Sequence, residues 1–407
     1  LAFGLLPGVG WAAADDQARE PGADRPRIGL VLSGGGARGA AHIGVIRALE
    51  ERHIPIDAVA GTSMGAVVGG LYAAGMTGDE IAEVFRTLDW QDLLRDRAPR
   101  KDLVYRRKQD DRSFLASGGL GVRADDGVVL PLGLVQGQKI TQVLRNATMR
   151  VADVQDFDRL PTPFRALATD LENGNPVVLR SGDLATVLRA SMSAPGVLAP
   201  VEIDGQLLVD GGLVDNLPVD LAKDMGVDVV IAVDVSFPLS RRDGLKSPLD
   251  VSNQMVGIMV RRGTAASLQK LGPADVLVQP ELGRMTAIDF ARMPQVMEAG
   301  ETAVASVADR LAALSVPDDT YLAYTASRAR IVDPSFQVAF VRPAARSEAD
   351  AERIDAVFGS MVGQPLDTDV LQHKAYRQYG LDRFEAVDYR VVRDGDDRGL
   401  EIDLRRK

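Results

Sequence analysis

The sequence predicts an α/β protein: a mostly parallel sheet with helices on its faces, followed by a small α+β unit of order β-α-α-β-β. Three observations predict it. Short apolar runs rich in branched residues are each followed by a sharp turn and then by a stretch at helical spacing, and that alternation belongs to parallel strands connected by helices. The composition changes near Pro317-Asp318-Asp319, and beyond it the patterns come in a different order. The chain has 407 residues, 46% of them hydrophobic, which suits one large domain plus a smaller one.

Taken in order, Ile28 to Leu32 reads as a strand, the glycine cluster after it as a tight loop, and Ala40 to Arg52 as a helix. Asp57 to Ala60 starts a second strand that ends at Ser63, and Ala66 to Ala74 is a helix of small residues. Further buried strands are expected at Phe164 to Ala168, Val177 to Leu179, Leu207 to Val209 and Val227 to Val235. Arg95 to Gln138 is irregular, with a basic run from Arg100 to Lys108 and a Gly-, Leu- and Val-rich run from Leu115 to Leu134. It reads either as an excursion over the active face or as an ordinary loop and hairpin. After the break come a strand (Phe336 to Val341), a helix (Glu348 to Met361), a Gly363-Gln364-Pro365 interruption and a helix (Asp367 to Gln378). Two strands follow, Phe384 to Val392 and Leu400 to Arg405, joined by the hairpin signal Asp394-Gly395-Asp396-Asp397.

The net charge of −10 argues against general affinity for nucleic acid or anionic membrane surfaces, so any lipid contact is expected to be local and apolar. The absence of cysteine removes disulfides, thiolate metal sites and thiol nucleophiles together, and serine chemistry is left. Residues 1–14 are apolar, close on Ala12-Ala13-Ala14 and pass abruptly to Asp15-Asp16, as the end of a secretory signal does. They are expected to be a signal-peptide remnant, residues 15–26 a linker; a frayed apolar terminus is the plainer alternative. No other run approaches the roughly 18 apolar residues of a membrane helix.

The chemistry centres on Gly61-Thr62-Ser63-Met64-Gly65, which lies between a strand and a helix. In that setting the turn drives a serine hydroxyl out of the sheet edge while the flanking glycines clear space, so Ser63 is the candidate nucleophile. Ser33-Gly34-Gly35-Gly36-Ala37-Arg38-Gly39 follows the first strand and opens a helix, where backbone N–H groups can converge on an oxyanion. The same glycines satisfy Gly-x-Gly-x-x-Gly with Asp57 beyond them, a dinucleotide pattern; but Asp57 begins the second strand, whereas the ribose-binding acid belongs at its end. Arg38 is read as a loop-stabilising salt-bridge partner, with a phosphate contact as the alternative. His42 shares a helix face with Arg38 and is read as a satisfied helix residue before a base; His53 reads as a surface residue. An order of Ser, acid, His would have to use His373, the only histidine after both Ser63 and Asp210, and that lies beyond the domain break, so a conventional triad is not expected. Asp210 ends the run Leu207 to Val209 and precedes Gly211-Gly212, and in a partly dehydrated pocket its proton affinity could rise enough to take the Ser63 proton directly. An Asp-Gly turn is the plain alternative. Asp170, Asp204 and Asp234 also stand at strand ends without a glycine pair.

Together the Gly34 to Gly39 loop, the Gly61 to Gly65 elbow and Asp210-Gly211-Gly212 resemble the patatin-like phospholipases, with Arg189 to Gly196 similar to the family's stretch ahead of the aspartate. The resemblance implies a three-layer lipase domain over 27–318 and a Ser63–Asp210 dyad cleaving acyl esters of phospholipids, with the amides of Gly34, Gly35, Gly36, Ala37 and Arg38 as oxyanion hole and no metal or organic cofactor. Residues 331–407 resemble a POTRA domain through Gly363 to Asp367, Tyr379-Gly380 and Phe384 to Val387. A patatin-like domain followed by one POTRA is similar to patatin-type bacterial autotransporters, which implies export through the periplasm to the outer membrane, the cell surface or the medium. The partners so implied are a phospholipid membrane or lipid substrate, a β-barrel in the full-length chain and a homodimer, with no nucleic acid. The rival expectation is an envelope assembly or binding module whose esterase site is vestigial or serves a non-lipid ester. Apolar segments at Leu130 to Val135 and Met255 to Val260 are expected either as loops that meet acyl chains or as core.

Overall fold

In the computed structural model the described residues are 25–95, 121–123, 127–129, 133, 135–329, 336–381 and 383–406. The signal-like stretch 1–14, the linker up to residue 24, the basic run 100–108 and most of 115–134 lie outside them.

β1 (Ile28–Leu32) is buried along its whole length and sends alternate side chains to opposite faces. Ile28, Leu30 and Leu32 enter the larger core with α1 (Ala41–Glu51) and α2 (Met64–Ala73), while Val31 enters a second cluster with Ala60, Val230 and Ala232. β2 (Ala58–Thr62) runs to the edge of Ser63. α3 (Gly78–Thr87), begun by a Thr77/Glu80 capping box, and α4 (Trp90–Arg95) follow; β3 (Gly121–Arg123) and β4 (Gly127–Val129) pair as a separate ribbon. α5 (Gln138–Thr148) leads to β5 (Phe164–Asp170), β6 (Pro176–Leu179), α6 (Leu184–Ser191), β7 (Val201–Ile203) and β8 (Gln206–Asp210). Then come α7 (Val219–Asp224), β9 (Val229–Val233), the long α8 (Pro248–Leu268), β10 (Val276–Val278), α9 (Met293–Ala305), α10 (Ala308–Ala312) and α11 (Asp318–Arg328).

The main sheet has the order β10-β9-β1-β2-β5-β8-β7, with β6 on β5. It is parallel from β10 to β5 and antiparallel where β6 and β8 meet β5 and β7 meets β8. The helices on its two faces complete the mostly parallel, three-layer α/β architecture. Among the described residues, no helix is long and apolar enough to cross a membrane.

Two expectations change. Met255 to Val260 is not a loop: it lies within α8, whose start is signalled by Pro248 at N1 and a capping box between Ser247 and Asp250. The strand expected at Phe336 to Val341 is displaced to β11 (Val341–Pro343), because the preceding residues bond irregularly, Val338 N to Gln364 O and Ala339 N to Arg398 O. β11 is followed by α12 (Ala351–Phe358), α13 (Thr368–Tyr379), β12 (Phe384–Asp394) and β13 (Asp397–Arg406), with sheet order β11-β13-β12 and a core of its own around Phe358, Leu371, Val387 and Ile402. The compositional break at Pro317 is the N-cap of α11, which still packs on the larger unit: Tyr324 Oη meets Ile56 N and O, and Arg328 reaches Tyr72 O.

Candidate active site

Ser63 stands between β2 and α2 with φ 55°, a left-handed conformation that a side-chain-bearing residue holds only when its surroundings over-determine it. What holds it is close packing. A side chain at Gly65 would come within 2.2 Å of Leu32 O, so only glycine lets α2 begin against the end of β1. The Ser63 amide donates to Ser191 Oγ at 3.0 Å, and Ser191 in turn donates to Leu167 O at 2.6 Å.

Strand register explains how Asp210 meets it. Thr62, one residue before the serine, pairs with Leu167 of β5, and the neighbouring Ala168 pairs with Asp210 at the end of β8. β8 runs antiparallel to β5, back from the level of Asp170, and its last residue stops opposite Ala168, level with the position that follows Thr62 in the neighbouring strand. The two side chains reach across β5 at the level of Ala168, and Ser63 Oγ donates to Asp210 Oδ2 at 2.6 Å. Asp210 is pinned through its main chain as well, its N donating to Ser193 O and its O accepting from Thr169 Oγ1.

Asp210 keeps a partly accessible edge. The atoms packed around the carboxyl nevertheless withhold hydration and push its pKa up to about 6, against the opposing hydrogen bonds from Ser63 and from Gly212 N. Such a carboxylate can accept the hydroxyl proton while remaining ionised near neutral pH.

The glycine loop abuts this pair. A side chain at Gly34 would lie 3.0 Å from Ser63 Cβ and 2.5 Å from Asn216 Oδ1. Three of the loop's five candidate amides are engaged internally: Gly34 N with Asn216 O, Ala37 N with Ala287 O, and Arg38 N with Gly35 O. Gly35 N and Gly36 N have no acceptor among the described residues.

Among the described residues the Arg38 side chain forms no salt bridge, contrary to the sequence reading. It is buried and donates to four carbonyls, those of Val235, Ser236, Gly283 and Met285. Desolvation lowers its pKa, with Asp234 opposing. His42 donates from Nε2 to Ser33 O at 2.8 Å, and complete burial holds its pKa down to about 4, so it is neutral and engaged away from Ser63. His53 contacts Asp318 and stacks on Tyr321, and His373 lies on α13 of the C-terminal unit. Asp57 binds Arg25 and the Ile28 amide at the edge of the sheet opposite the glycine loop, which removes it from any ribose site there. Asp170 and Asp234 cap turns, and Asp204 belongs to the β7–β8 hairpin.

Residue-by-residue reading gave no role to Ser191, Ser193, Thr169 or Asn216, all buried and all bonded to the site's frame. Asn216 Nδ2 ties Gly34 O to Ser236 Oγ and to Thr264 Oγ1 of α8. Only the likeness of Arg189 to Gly196 to a known stretch pointed toward the first two.

Residues 30–223 match the family model described as patatin-like phospholipase. An uncharacterized NTE family protein of Mycobacterium tuberculosis is 38% identical over 218 residues, 54% of this chain and 51% of its own length. Lysophospholipase NTE1 of Saccharomyces cerevisiae is 30% identical over 296 residues, 67% of this chain and 16% of its own. The match thus spans about half the length of the mycobacterial relative and a small part of the yeast one. VipD from Legionella pneumophila shares 16% identity at a TM-score of 0.40, covering 70% of this chain and 67% of VipD, too slight a likeness to add to these.

Proposed function

We propose that this protein is a serine esterase that hydrolyses acyl esters of glycerophospholipids through Ser63 and Asp210. The observation that carries the proposal is the 2.6 Å bond from a strained elbow hydroxyl to a carboxylate of raised proton affinity. Ser63 Oγ attacks the ester carbonyl carbon as its proton passes to Asp210, and the oxyanion accepts from the two uncommitted amides, Gly35 N and Gly36 N. Collapse breaks the ester C–O bond, and Asp210 returns the proton to the departing alcohol oxygen. Water then repeats the sequence on acyl-Ser63, releasing the fatty acid. Neither the neutral His42 nor a metal is assigned a step; among the described residues no cluster of three His, Cys, Asp or Glu could hold a metal ion.

A fluorophosphonate probe is expected to label Ser63, and Ser63→Ala is expected to abolish both labelling and release of fatty acid from glycerophospholipid, read by mass spectrometry of the products. A folded Ser63→Ala protein with full esterase activity would falsify the assignment. Folded wild-type protein that resists labelling would favour the binding-module reading instead. We further propose that residues 331–407 are a POTRA domain and that the protein is exported. The sheet β11-β13-β12 with α12 and α13 packed on it supports the first, and fractionation of cells making the native protein tests the second.

A further inference from the structure

α8 has its apolar side chains on the wrong face for a helix that serves only to cover the sheet. Its inward face is Val260, Thr264 and Ser267: Val260 approaches Gly212 beside Asp210, Thr264 bonds Asn216, and Ser267 bonds Asp215. At 100° per residue the opposite face carries Val251, Met255, Ile258 and Met259. These are 50%, 63%, 37% and 53% exposed, among the most exposed large hydrophobic residues described. The stripe lies in the half of the helix that precedes Val260, next to the segment leaving β9, where Leu239 is 38% exposed. The glycine loop leaves the neighbouring strand β1 at that same sheet edge.

The charge around the stripe is reversed relative to the molecule. Between Leu239 and Arg262 there are five basic residues, Arg241, Arg242, Lys246, Arg261 and Arg262, against Asp243 and Asp250, in a chain of net charge −10. All five are exposed, and none is in a salt bridge among the described residues. Asp250 is turned inward to the cap, accepting from the amides of Lys246 and Ser247. An apolar stripe flanked by exposed cations held in no salt bridge among the described residues is complementary to one kind of surface: acyl chains below anionic headgroups.

We infer that the outward face of α8 is the docking surface by which this protein seats on an anionic lipid bilayer, with Met255 and Met259 entering the acyl region and the arginines meeting headgroup phosphate. The inference rests on the lipid-hydrolase reading for its purpose, not for its test. Binding is measured on the full chain carrying Ser63→Ala, by co-sedimentation with vesicles of phosphatidylcholine and phosphatidylglycerol and with vesicles of phosphatidylcholine alone. Sedimentation with the anionic vesicles is expected, weakened by salt and by omission of phosphatidylglycerol. Met255→Asp with Met259→Asp, and separately Arg261→Glu with Arg262→Glu, are expected to lower partition by about tenfold or more. With Ser63 restored, both variants are expected to hydrolyse a short soluble ester at the parent rate, which also shows that they fold. Equal partition of parent and variants overturns the inference. So does a dimer that fails to bind vesicles and that Met255→Asp with Met259→Asp dissociates, since the face is then covered by a second copy. If no variant hydrolyses any ester but vesicle binding behaves as stated, the esterase reading fails and the docking surface stands.

Discussion

At the scale of single residues, Ser63 and Asp210 each hold a state that the isolated amino acid avoids. The φ of 55° costs Ser63 on the order of 1–3 kcal/mol, drawn from the packing around it. Asp210 ionises against burial, so its proton is released at about pH 6 rather than in the ordinary carboxylate range. To act as the proposed general base it must be ionised. The value of kcat/KM on a soluble ester is therefore expected to climb with unit slope below about pH 6 and to level above it. A profile flat through that window would remove Asp210 from the role. The same shift acts on stability with the opposite sense. The folded state holds this proton more tightly than the unfolded chain, so stability falls as pH rises from the ordinary carboxylate range to about 6 and is then unaffected by this group. Asp210→Asn is expected to be inactive yet no less stable to heat than the parent at mildly alkaline pH.

At the scale of elements, the site is the meeting of three strand ends and the start of α2, held by the last turn of α6. Ser191 serves both sides, accepting the Ser63 amide and donating to Leu167 O. Ser191→Ala leaves both groups buried without a partner and is expected to cost about 1–3 kcal/mol in denaturant unfolding. Its kcat is expected to fall more than its KM rises, because the elbow loses its position while the surface that meets substrate is untouched. Unchanged kcat would show that the elbow is held by α2 packing alone.

Across the whole molecule, the C-terminal unit is fastened to the larger one through α5. The Gln138 side chain pairs with both N and O of Val387, and buried Arg145 binds Asp183 and Asp388 together. Burial works against the arginine's charge, but the two carboxylates outweigh it and raise its pKa. Removing one member of such a buried group typically costs about 3–5 kcal/mol. Arg145→Ala is accordingly expected to speed hydrogen exchange at Val387 and Tyr389 while leaving α2 protected. Equal protection in the variant would place the docking energy elsewhere, in the apolar contact of Met149 with the C-terminal core or in the pairing of Asp153 with Arg393 and Arg398.

The sequence by itself determined the local pieces, because they are set by near neighbours. Branched apolar runs made β1 and β9, the Gly-x-Ser-x-Gly spacing made the elbow, and Asp-Gly signals made the hairpin of β12 and β13. It also singled out Ser63 and Asp210, since a chain without cysteine, whose one histidine in triad order lies in the C-terminal unit, offers few other chemistries. Only the tertiary structure decided that β8 runs antiparallel to β5, which is what brings residues 147 apart in the chain to 2.6 Å. It also decided that three loop amides and the Arg38 guanidinium are spent on internal carbonyls, and that the apolar run at Met255 belongs to a helix facing outward. The reason is the same in each case. A periodic pattern reports how a segment is built, whereas strand direction, hydrogen-bond partners and the side of a helix that is covered depend on segments far away in the chain.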